Sequence, residues 1–582
     1  MDRRRFLGLG LAAPAWLGAQ QGPPRPQPVE AMTPDPYPAI ALNHLGFTPN
    51  ARKIVIFRGL PEEGPPQFSV RELGGYPKAI RANLPLKRVT TDTLDCLVGE
   101  FTSLDREGMY QVSVGGELSV PFFIRPDVWR RTLPKAVGYY RYQRCGVAVP
   151  GVHALCHMDD ARRRDNGQRV DTTGGWHDAG DLRKWMTATL LNGVALLHLA
   201  RNLGEKWDPA GSGLAPILEE VRWGNQYFLK MQDADGLVFA DVAGGVNGDN
   251  SDNHWTDNQP GNQDDRYLNP AKNGQAQAEF TLLEAMMAQQ FKGTEYGKRC
   301  LDAAVRCWTA ARRGGRTLEL AWWTLAAIEL SRATGKDEYA AAAAELGGRL
   351  LALQNTAFVA NQKEVRGFFR NSDADASAFV DAVSSGLPGV ALLSLAAQFG
   401  KHRDAARWRD AVKMHLDEYV APMCGHSPFE IAPYGVFAGS PTRETYRPLA
   451  GELTYRYFMP VRKQNWWLGT TSHLLSNATL LAMAAHALRN PEYRRLALRQ
   501  LEWVMGANPF AACLMTGEGM RNPYPHSRFV GLIPGGVMNG IAGNVRDEPV
   551  LDTEYGLDWR TTEYWSPHNA YYIWAVSTLE RG

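Results

Sequence analysis

From about residue 130 onward, apolar residues recur every three or four positions, the spacing of one buried helix face. The segment 491–505 shows this most cleanly, with Tyr493, Ala497, Leu501 and Val504 on one side. Asn490 stands where its side chain can cap the helix, Pro491 sits in the first turn, and Gly506 follows the end. Similar runs occupy 187–203, 276–291, 296–312, 317–334, 337–354, 387–399, 403–419, 471–489 and 568–580. At least ten helices are therefore predicted, with no strand signal of comparable strength between them. Many are rich enough in Ala and Leu to be buried on more than one side. Two concentric rings of helices, an α/α barrel, would bury them that way. No repeat of fixed period is visible, which argues against a solenoid.

Ahead of the helices the period changes to two. Lys53–Phe57, Phe68–Val70 and Met109–Val114 are short β-type runs separated by turn residues such as Glu107-Gly108 and Gly115-Gly116. In the last run Tyr110, Val112 and Val114 alternate with polar residues, as in a half-buried strand. The pattern predicts a small β-sandwich over 39–126 and a helical domain over 127–582. Residues 20–38, rich in Pro and Gln, read as a linker. Residues 1–19 read as a leader: Arg3-Arg4-Arg5-Phe6-Leu7 opens an apolar run that stops at Leu17, before Gly18-Ala19. That run is too short to span a bilayer. Its paired arginines resemble a twin-arginine export signal, so a periplasmic or secreted protein is expected. No other stretch is long and apolar enough to span a membrane.

Composition narrows the chemistry. The chain is 44% apolar and 21% charged, with a net charge of +2, so no basic surface points to nucleic acid. A neutral polymer fits this balance better than a polyanion. The 17 Trp and 21 Tyr suit sugar rings, which stack on aromatic faces, and equally suit a large core. The seven Cys are odd in number and scattered, which argues against a disulfide scaffold. A monomer is expected.

Three groups of residues carry candidate chemistry. In Gly174-Gly175-Trp176-His177-Asp178-Ala179-Gly180-Asp181, two carboxylates stand three apart in a glycine-opened loop before a helix. Small residues between them let both acids approach one water; an Asp at a helix start is also a common cap. Glu563 sits among aromatic and small residues just before the last helix. Such a setting raises a Glu pKa and keeps its proton available, and it also suits a satisfied buried acid. Cys145, Cys156, His157 and His177 make two thiols and two imidazoles, a closed set for structural zinc, or else ordinary core cysteines. The Gly/Asn/Asp-rich stretch 244–272 reads as a barrel loop, with Trp255 and Tyr267 able to line a cleft.

Around these residues the chain resembles glycoside hydrolase family 9, the endoglucanase or cellulase family with an (α/α)6 barrel. Gly174–Asp181 looks like its Gly-Gly-Trp-His-Asp-Ala-Gly-Asp motif, and Glu563 with Asn569-Ala570 looks like its acid-bearing motif. Val504–Pro509, Thr516-Gly517 and Pro525-His526-Ser527-Arg528 are similar to a further block. Leu42–Phe47 and Tyr142–Gly146 resemble the start and the junction of the immunoglobulin-like module carried by one subgroup. The resemblance implies an inverting hydrolase of β-glucosidic bonds in a β-glucan or cello-oligosaccharide. Asp181 would deprotonate the attacking water, Asp178 would help hold it, and Glu563 would protonate the leaving oxygen. His526 and Arg528 would bind the adjoining sugar. Inversion implies carboxyls about 6.5–9.5 Å apart. The subgroup's zinc, with ligands of this kind, implies a structural ion on Cys145, Cys156, His157 and His177.

Departures from the family pattern bear on the substrate. Glu554 stands where the family has Asp, Trp565 replaces a small residue, and His568 precedes the Asn. The added bulk would close part of a cleft and favour chain ends, or would simply change packing. Calcium, common in the family, finds no assignable site, since Thr317-Leu318-Glu319-Leu320 has one acid where a pair is expected. No organic cofactor is implied. The competing readings are an exo-acting β-glucosidase or exo-β-glucosaminidase on the same fold and a catalytically silent carbohydrate-binding protein.

Overall fold

The computed structural model describes residues 40–581 apart from 60–65, 75–77, 92–93, 205–206, 208–215, 245–253, 358–364, 441–443, 460–467, 530–531 and 555–557. The expected leader, the expected linker and part of the 244–272 loop lie outside the described residues.

Strands β1 (Ile40–Ala41), β2 (Gly46–Phe47), β3 (Ile54–Phe57), β4 (Gln67–Glu72), β5 (Lys78–Thr90), β6 (Asp95–Glu100), β7 (Gly108–Val114), β8 (Glu117–Leu118) and β9 (Phe122–Ile124) form the N-terminal immunoglobulin-like domain. The first part of β5 pairs with β4 and its last residues pair with β6. One long strand therefore joins two sheets, β1-β3-β6-β5 and β5-β4-β7-β9-β2. Tyr110, Val112 and Val114 face inward from β7 and pack with Val55, Phe68, Val70 and Phe122. The alternation along β7 thus arises because only one of its faces meets the opposite sheet.

Twelve longer helices follow among the described residues: α1 (Leu133–Tyr142), α2 (Met186–Leu203), α3 (Ile217–Lys230), α4 (Gly274–Gln290), α5 (Glu295–Ala310), α6 (Thr317–Thr334), α7 (Asp337–Ala352), α8 (Leu387–Gln398), α9 (Ala405–His415), α10 (Thr471–Ala487), α11 (Pro491–Val504) and α12 (Ser566–Leu579). Helices α2, α4, α6, α8, α10 and α12 pack each on the next, and α12 returns to α2. That closes an inner ring. Helices α3, α5, α7, α9, α11 and α1 back them in turn as an outer ring.

The two rings differ as their sequences require. Every residue of α12 is buried, because the helix is enclosed on all sides. Helix α5 buries Gly297, Cys300, Ala303, Ala304, Cys307 and Trp308, a single stripe, and leaves Arg299 and Arg306 exposed. Burying each large apolar side chain contributes roughly 1.5–3 kcal/mol, so most of the stabilisation lies in and against the inner ring. Helices α1 and α3 were not among the runs expected: Gly138, Gly224 and Asn225 occupy buried positions of their otherwise amphipathic stripes. Their Tyr, Trp, Gly and Asn residues are weak helix formers that tertiary packing overrides. The run expected at 403–419 becomes α9 followed by a π turn over Leu416–Val420.

The long connections, 143–185, 231–273, 353–386, 416–470 and 505–565, all lead from an outer helix to the N-terminus of the next inner one. They therefore gather at one end of the barrel. Short strands run through them, a feature the helical pattern did not predict. Four of these, β10 (Arg162–Arg163), β11 (Lys184–Trp185), β12 (Asp241–Ala243) and β13 (Tyr267–Asn269), form a sheet in the order β10-β13-β12-β11. Two- and three-residue strands are too short to leave a two-residue period. Among the described residues no helix is long and apolar enough to cross a membrane.

The β-domain meets this same set of loops. The His44 amide donates to the Met505 carbonyl at 2.8 Å, and His44 Nδ1 lies 2.7 Å from the Met520 carbonyl. The ring rests on Gly506, where a Cβ would stand 2.4 Å from it. Burial lowers the His44 pKa to about 4, so the imidazole at this seam is neutral at neutral pH.

Candidate active site

The α1–α2 connection builds one side of the site. The Cys145 amide donates to the Gly175 carbonyl and the His177 amide to the Gln143 carbonyl, tying the motif to the end of α1. Trp176 is fully buried and donates from Nε1 to Glu220 at 2.9 Å. Its ring lies so close to Gly224 of α3 that a Cβ there would sit 2.0 Å away. The tryptophan thus anchors the loop, and the chain turns back on itself beyond it. The Asp178 amide donates to the Arg183 carbonyl at 2.7 Å, the Arg183 amide to Asp181 Oδ1 at 3.1 Å. Leu182 takes a left-handed φ of 69°, an uncommon conformation for a bulky residue, held by this tight turn.

The α11–α12 connection supplies the other side. Trp565 pairs with Ala179, Tyr564 pairs with Met538, and the Ser566 amide donates to the Asp178 carbonyl at 2.7 Å. Residues 563–566 therefore run alongside 178–179, at the adjoining N-termini of α12 and α2. The Gly180 amide donates to the Glu563 carboxyl. Asp178 is buried, with Oδ1 accepting from the Trp185 amide at 3.1 Å and Oδ2 accepting from Trp565 Nε1 at 2.9 Å.

Electrostatics couples the three acids. Burial, then repulsion from Asp181 and Asp178, pushes Glu563 well above the usual carboxyl range. Burial and then Asp181 raise Asp178 as well. An arrangement that keeps a proton on one carboxyl with further carboxyls beside it can perform general acid and general base chemistry together.

His526 reaches this site through its backbone. The Arg528 amide donates to the Gly180 carbonyl at 2.8 Å, and a Cβ on Gly180 would stand 2.6 Å from the His526 carbonyl oxygen. Gly180→Ala should accordingly displace the 526–528 segment. The expected loss is about 1–3 kcal/mol of stability with a raised KM, measurable by thermal melts and steady-state kinetics. Arg528 is exposed. His526 Nδ1 lies 3.2 Å from Asp558 Oδ1, and Asp558 also adds to the upward shift of Glu563. Sequence reasoning had passed over Asp558. Its position at the start of the Trp559–Thr562 turn, just before Glu563, was the available signal. Glu554 is exposed, and its carbonyl accepts from the Asp558 amide at 3.0 Å. Trp185 was also missed; its ring lies 6.4 Å from that of Trp565 and beneath the Arg183 guanidinium. Tyr267 lies on β13 with the Arg162 guanidinium over its ring. His568, wholly buried, bonds Ser472 and Asn539 within the barrel.

Cys145, Cys156, His157 and His177 converge, their ligand atoms within 4.8 Å of one another and all four residues buried. Cys145 Sγ lies 3.6 Å from His157 Nδ1, which lies 3.3 Å from His177 Nε2. Zinc bonds of about 2.3 Å to sulfur and 2.0–2.1 Å to nitrogen at tetrahedral angles give edges of about 3.6 and 3.3 Å. The residues fit that ion. His157 Nε2 lies 2.9 Å from the His254 carbonyl, the kind of outer partner that orients a ligating imidazole. Burial opposes charge on Cys145, but a hydrogen bond from Cys156 and the nearby Lys184 bring its thiol well below the usual range. Trp255 stacks on His153 and His157. Phe529 contacts Trp255 and His177 on one side and Tyr564 on the other, bridging the cluster to the Glu563 loop.

The sequence matches the profile of "Glycosyl hydrolase family 9" over residues 129–544 and that of "Cellulase N-terminal ig-like domain" over 35–119. It is 31% identical over 225 residues to a cellodextrinase of Butyrivibrio fibrisolvens, covering 35% of this chain and 39% of that protein. The chain spans about two fifths of the length of the first curated relatives it matches. Its fold is similar to a metagenome-derived glycoside hydrolase family 9 endoglucanase, with TM-score 0.68, 23% identity, and 93% and 99% of the two chains covered. It is also similar to a zinc-binding triple mutant of the family 9 endoglucanase J30, with TM-score 0.67, 23% identity, and 92% and 100% covered.

Proposed function

Because this chain belongs to glycosyl hydrolase family 9, we propose that it cuts β-glucosidic bonds of a β-glucan or cello-oligosaccharide with inversion at the anomeric carbon. The observation that carries this reading is the trio of acids: burial first, then Asp181 and Asp178, raise the Glu563 pKa and keep its proton in place. Glu563 protonates the departing glycosidic oxygen. Asp181 removes a proton from the attacking water, and Asp178 holds that water. His526, oriented by Asp558, and Arg528 bind the sugar beside the scissile bond. The leader at 1–19 supports export to the periplasm or beyond it.

The four-residue thiol and imidazole cluster holds a structural zinc. Four protein ligands leave no open position, so the ion would fix the loop that carries Asp178 and Asp181 and take no part in the chemistry.

Trp565 favours an exo-acting variant of the same reading. Its indole donates to Asp178 and lies near Trp185, adding bulk beside the acids. Trp565→Phe removes the donor to Asp178 Oδ2, a hydrogen bond of about 0.5–1.5 kcal/mol. This bond favours the ionised form, so its loss should raise the Asp178 pKa further. The expected result is a kcat about tenfold lower with KM little changed. Its pH profile should shift upward on the limb that Asp178 governs.

Product profiling on soluble β-glucans and short oligosaccharides, with viscosity followed beside reducing ends, tests the function. Reducing ends released with little loss of viscosity would indicate attack at chain ends. Early loss of viscosity would indicate internal cutting. No release from any β-glucan or cello-oligosaccharide would overturn the substrate class.

A further inference from the structure

We infer that the hydroxyl pair of Ser527 and Tyr564 aligns the proton of Glu563 with the scissile bond, which makes both of them positioning residues for the acid. The inference rests on Glu563 being the proton donor.

Three segments meet at the site and are joined two by two. Segment 178–181 meets 563–566 through the backbone, by the Ser566 amide on the Asp178 carbonyl at 2.7 Å. It meets 526–529 through the backbone as well, by the Arg528 amide on the Gly180 carbonyl at 2.8 Å. The remaining side, between 526–529 and 563–566, is closed by side chains. Ser527 and Tyr564 share a hydrogen bond between their hydroxyls, and the Tyr564 ring meets that of Phe529 at 6.5 Å.

Chain order places the tyrosine for this task. Glu563 and Trp565 have extended backbone, and Tyr564 between them pairs with Met538. Successive side chains in such a run turn to opposite sides. Glu563 and Trp565 reach the Gly180 amide and Asp178. Tyr564 turns the other way and is wholly buried, with its ring edge-on to Tyr139 at 5.7 Å. A Cβ on Gly536 would stand 3.2 Å from its Cβ. A tyrosine hydroxyl buried this deeply requires a hydrogen-bond partner, and Ser527 supplies it. Ser527 is itself held: its Oγ accepts the Phe529 amide at 3.0 Å, and its Cα lies 2.9 Å from where Gly180 would carry a Cβ.

The position of the acid depends on this anchor. The Asn539 amide donates to the Glu563 carbonyl at 2.8 Å, a bond along one edge of the run that leaves it able to roll about its own axis. Because the two side chains point opposite ways, a roll that moves the Tyr564 ring swings the Glu563 carboxyl. The hydrogen bond to Ser527 opposes that roll. Burial pushes the Tyr564 hydroxyl above the usual phenol range, so it keeps its proton at neutral pH.

Kinetics of the full chain on a soluble β-glucan and on a dinitrophenyl β-glycoside test this. Wild type, Tyr564→Phe, Ser527→Ala, the double variant and Glu563→Gln are compared, each checked by its melting temperature. On the glucan each single variant should lower kcat about tenfold with KM little changed, part of the roughly 10²-fold that a 1 Å misplacement costs. On the dinitrophenyl glycoside, which departs without protonation, both should stay close to wild type. The double variant should be no slower than the slower single one, since each substitution removes the same bond. Ser527 is half-buried, so Ser527→Ala reports even if Tyr564→Phe does not fold. Equal losses on the two substrates, an undiminished kcat, or losses that multiply in the double variant would overturn the inference. Glu563→Gln separates it from the reading beneath it. If that variant loses the glucan but keeps the dinitrophenyl glycoside while Tyr564→Phe matches wild type, the donor stands and its alignment by Tyr564 falls. Full activity of Glu563→Gln on the glucan would remove both.

Discussion

Glu563→Gln should lower kcat on a soluble β-glucan by about 10²–10⁴-fold, the usual contribution of a positioned acid or base, and leave the melting temperature close to wild type. The amide keeps the shape of the side chain and its hydrogen bond near Gly180 but cannot deliver a proton. Asp181→Asn should lose activity to at least the same extent, for the opposite reason. A substrate with a good leaving group separates the two roles. A dinitrophenyl β-glycoside departs without protonation, so it should be hydrolysed by Glu563→Gln and remain resistant to Asp181→Asn. Full activity of either variant on the β-glucan, or rescue of the wrong one, would remove the assignment.

The pH dependence has a definite sign. Glu563 works as an acid only while protonated, and its raised pKa carries that state to higher pH. Activity therefore falls on the alkaline side as the proton leaves. Repulsion from Asp178 is among the causes of the shift, after burial and Asp181. Asp178→Asn removes one of these negative neighbours, so its alkaline limb should move to lower pH.

The second large effect concerns stability. Cys156→Ser should release the zinc and destabilise the protein by more than about 4 kcal/mol, the class of loss seen when a structural metal goes. It would leave buried thiol and imidazole groups without their shared partner. The effect reaches the site because His177 immediately precedes Asp178 and because the aromatic bridge through Phe529 ends on Tyr564. Elemental analysis should find one zinc in wild type and none in the variant, with a large fall in melting temperature and in kcat together. A zinc-free wild type of full stability would remove this part of the account.

The helical pattern exposed the ring helices whose apolar spacing is regular, and the alternation along Tyr110, Val112 and Val114 exposed the sandwich. It did not expose α1 and α3; in α3 the stripe passes through Gly224, which lies against Trp176, and Asn225, which bonds Tyr296. The barrel was expected, but that α12 closes its inner ring on α2 was not, since neither helix marks its partner. That closure is what sets residues 563–566 along 178–179. The proximity of Glu563 to Gly180 and of His526 to Asp558 follows from backbone pairing across the loops, which leaves no mark in spacing. Trp565 was legible as a departure, but its donor to Asp178 was not. Trp255 read as a cleft residue, and in the structure its ring stands on His153 and His157.

The stereochemistry of the first product tests the account most directly. Proton magnetic resonance spectra taken within the first minutes of hydrolysis of a short β-linked oligosaccharide distinguish the two anomers before mutarotation mixes them. With Asp181 activating water opposite a proton-donating Glu563, the α-anomer should appear first. Initial accumulation of the β-anomer would mean retention through a covalent intermediate and would contradict the roles given to both acids.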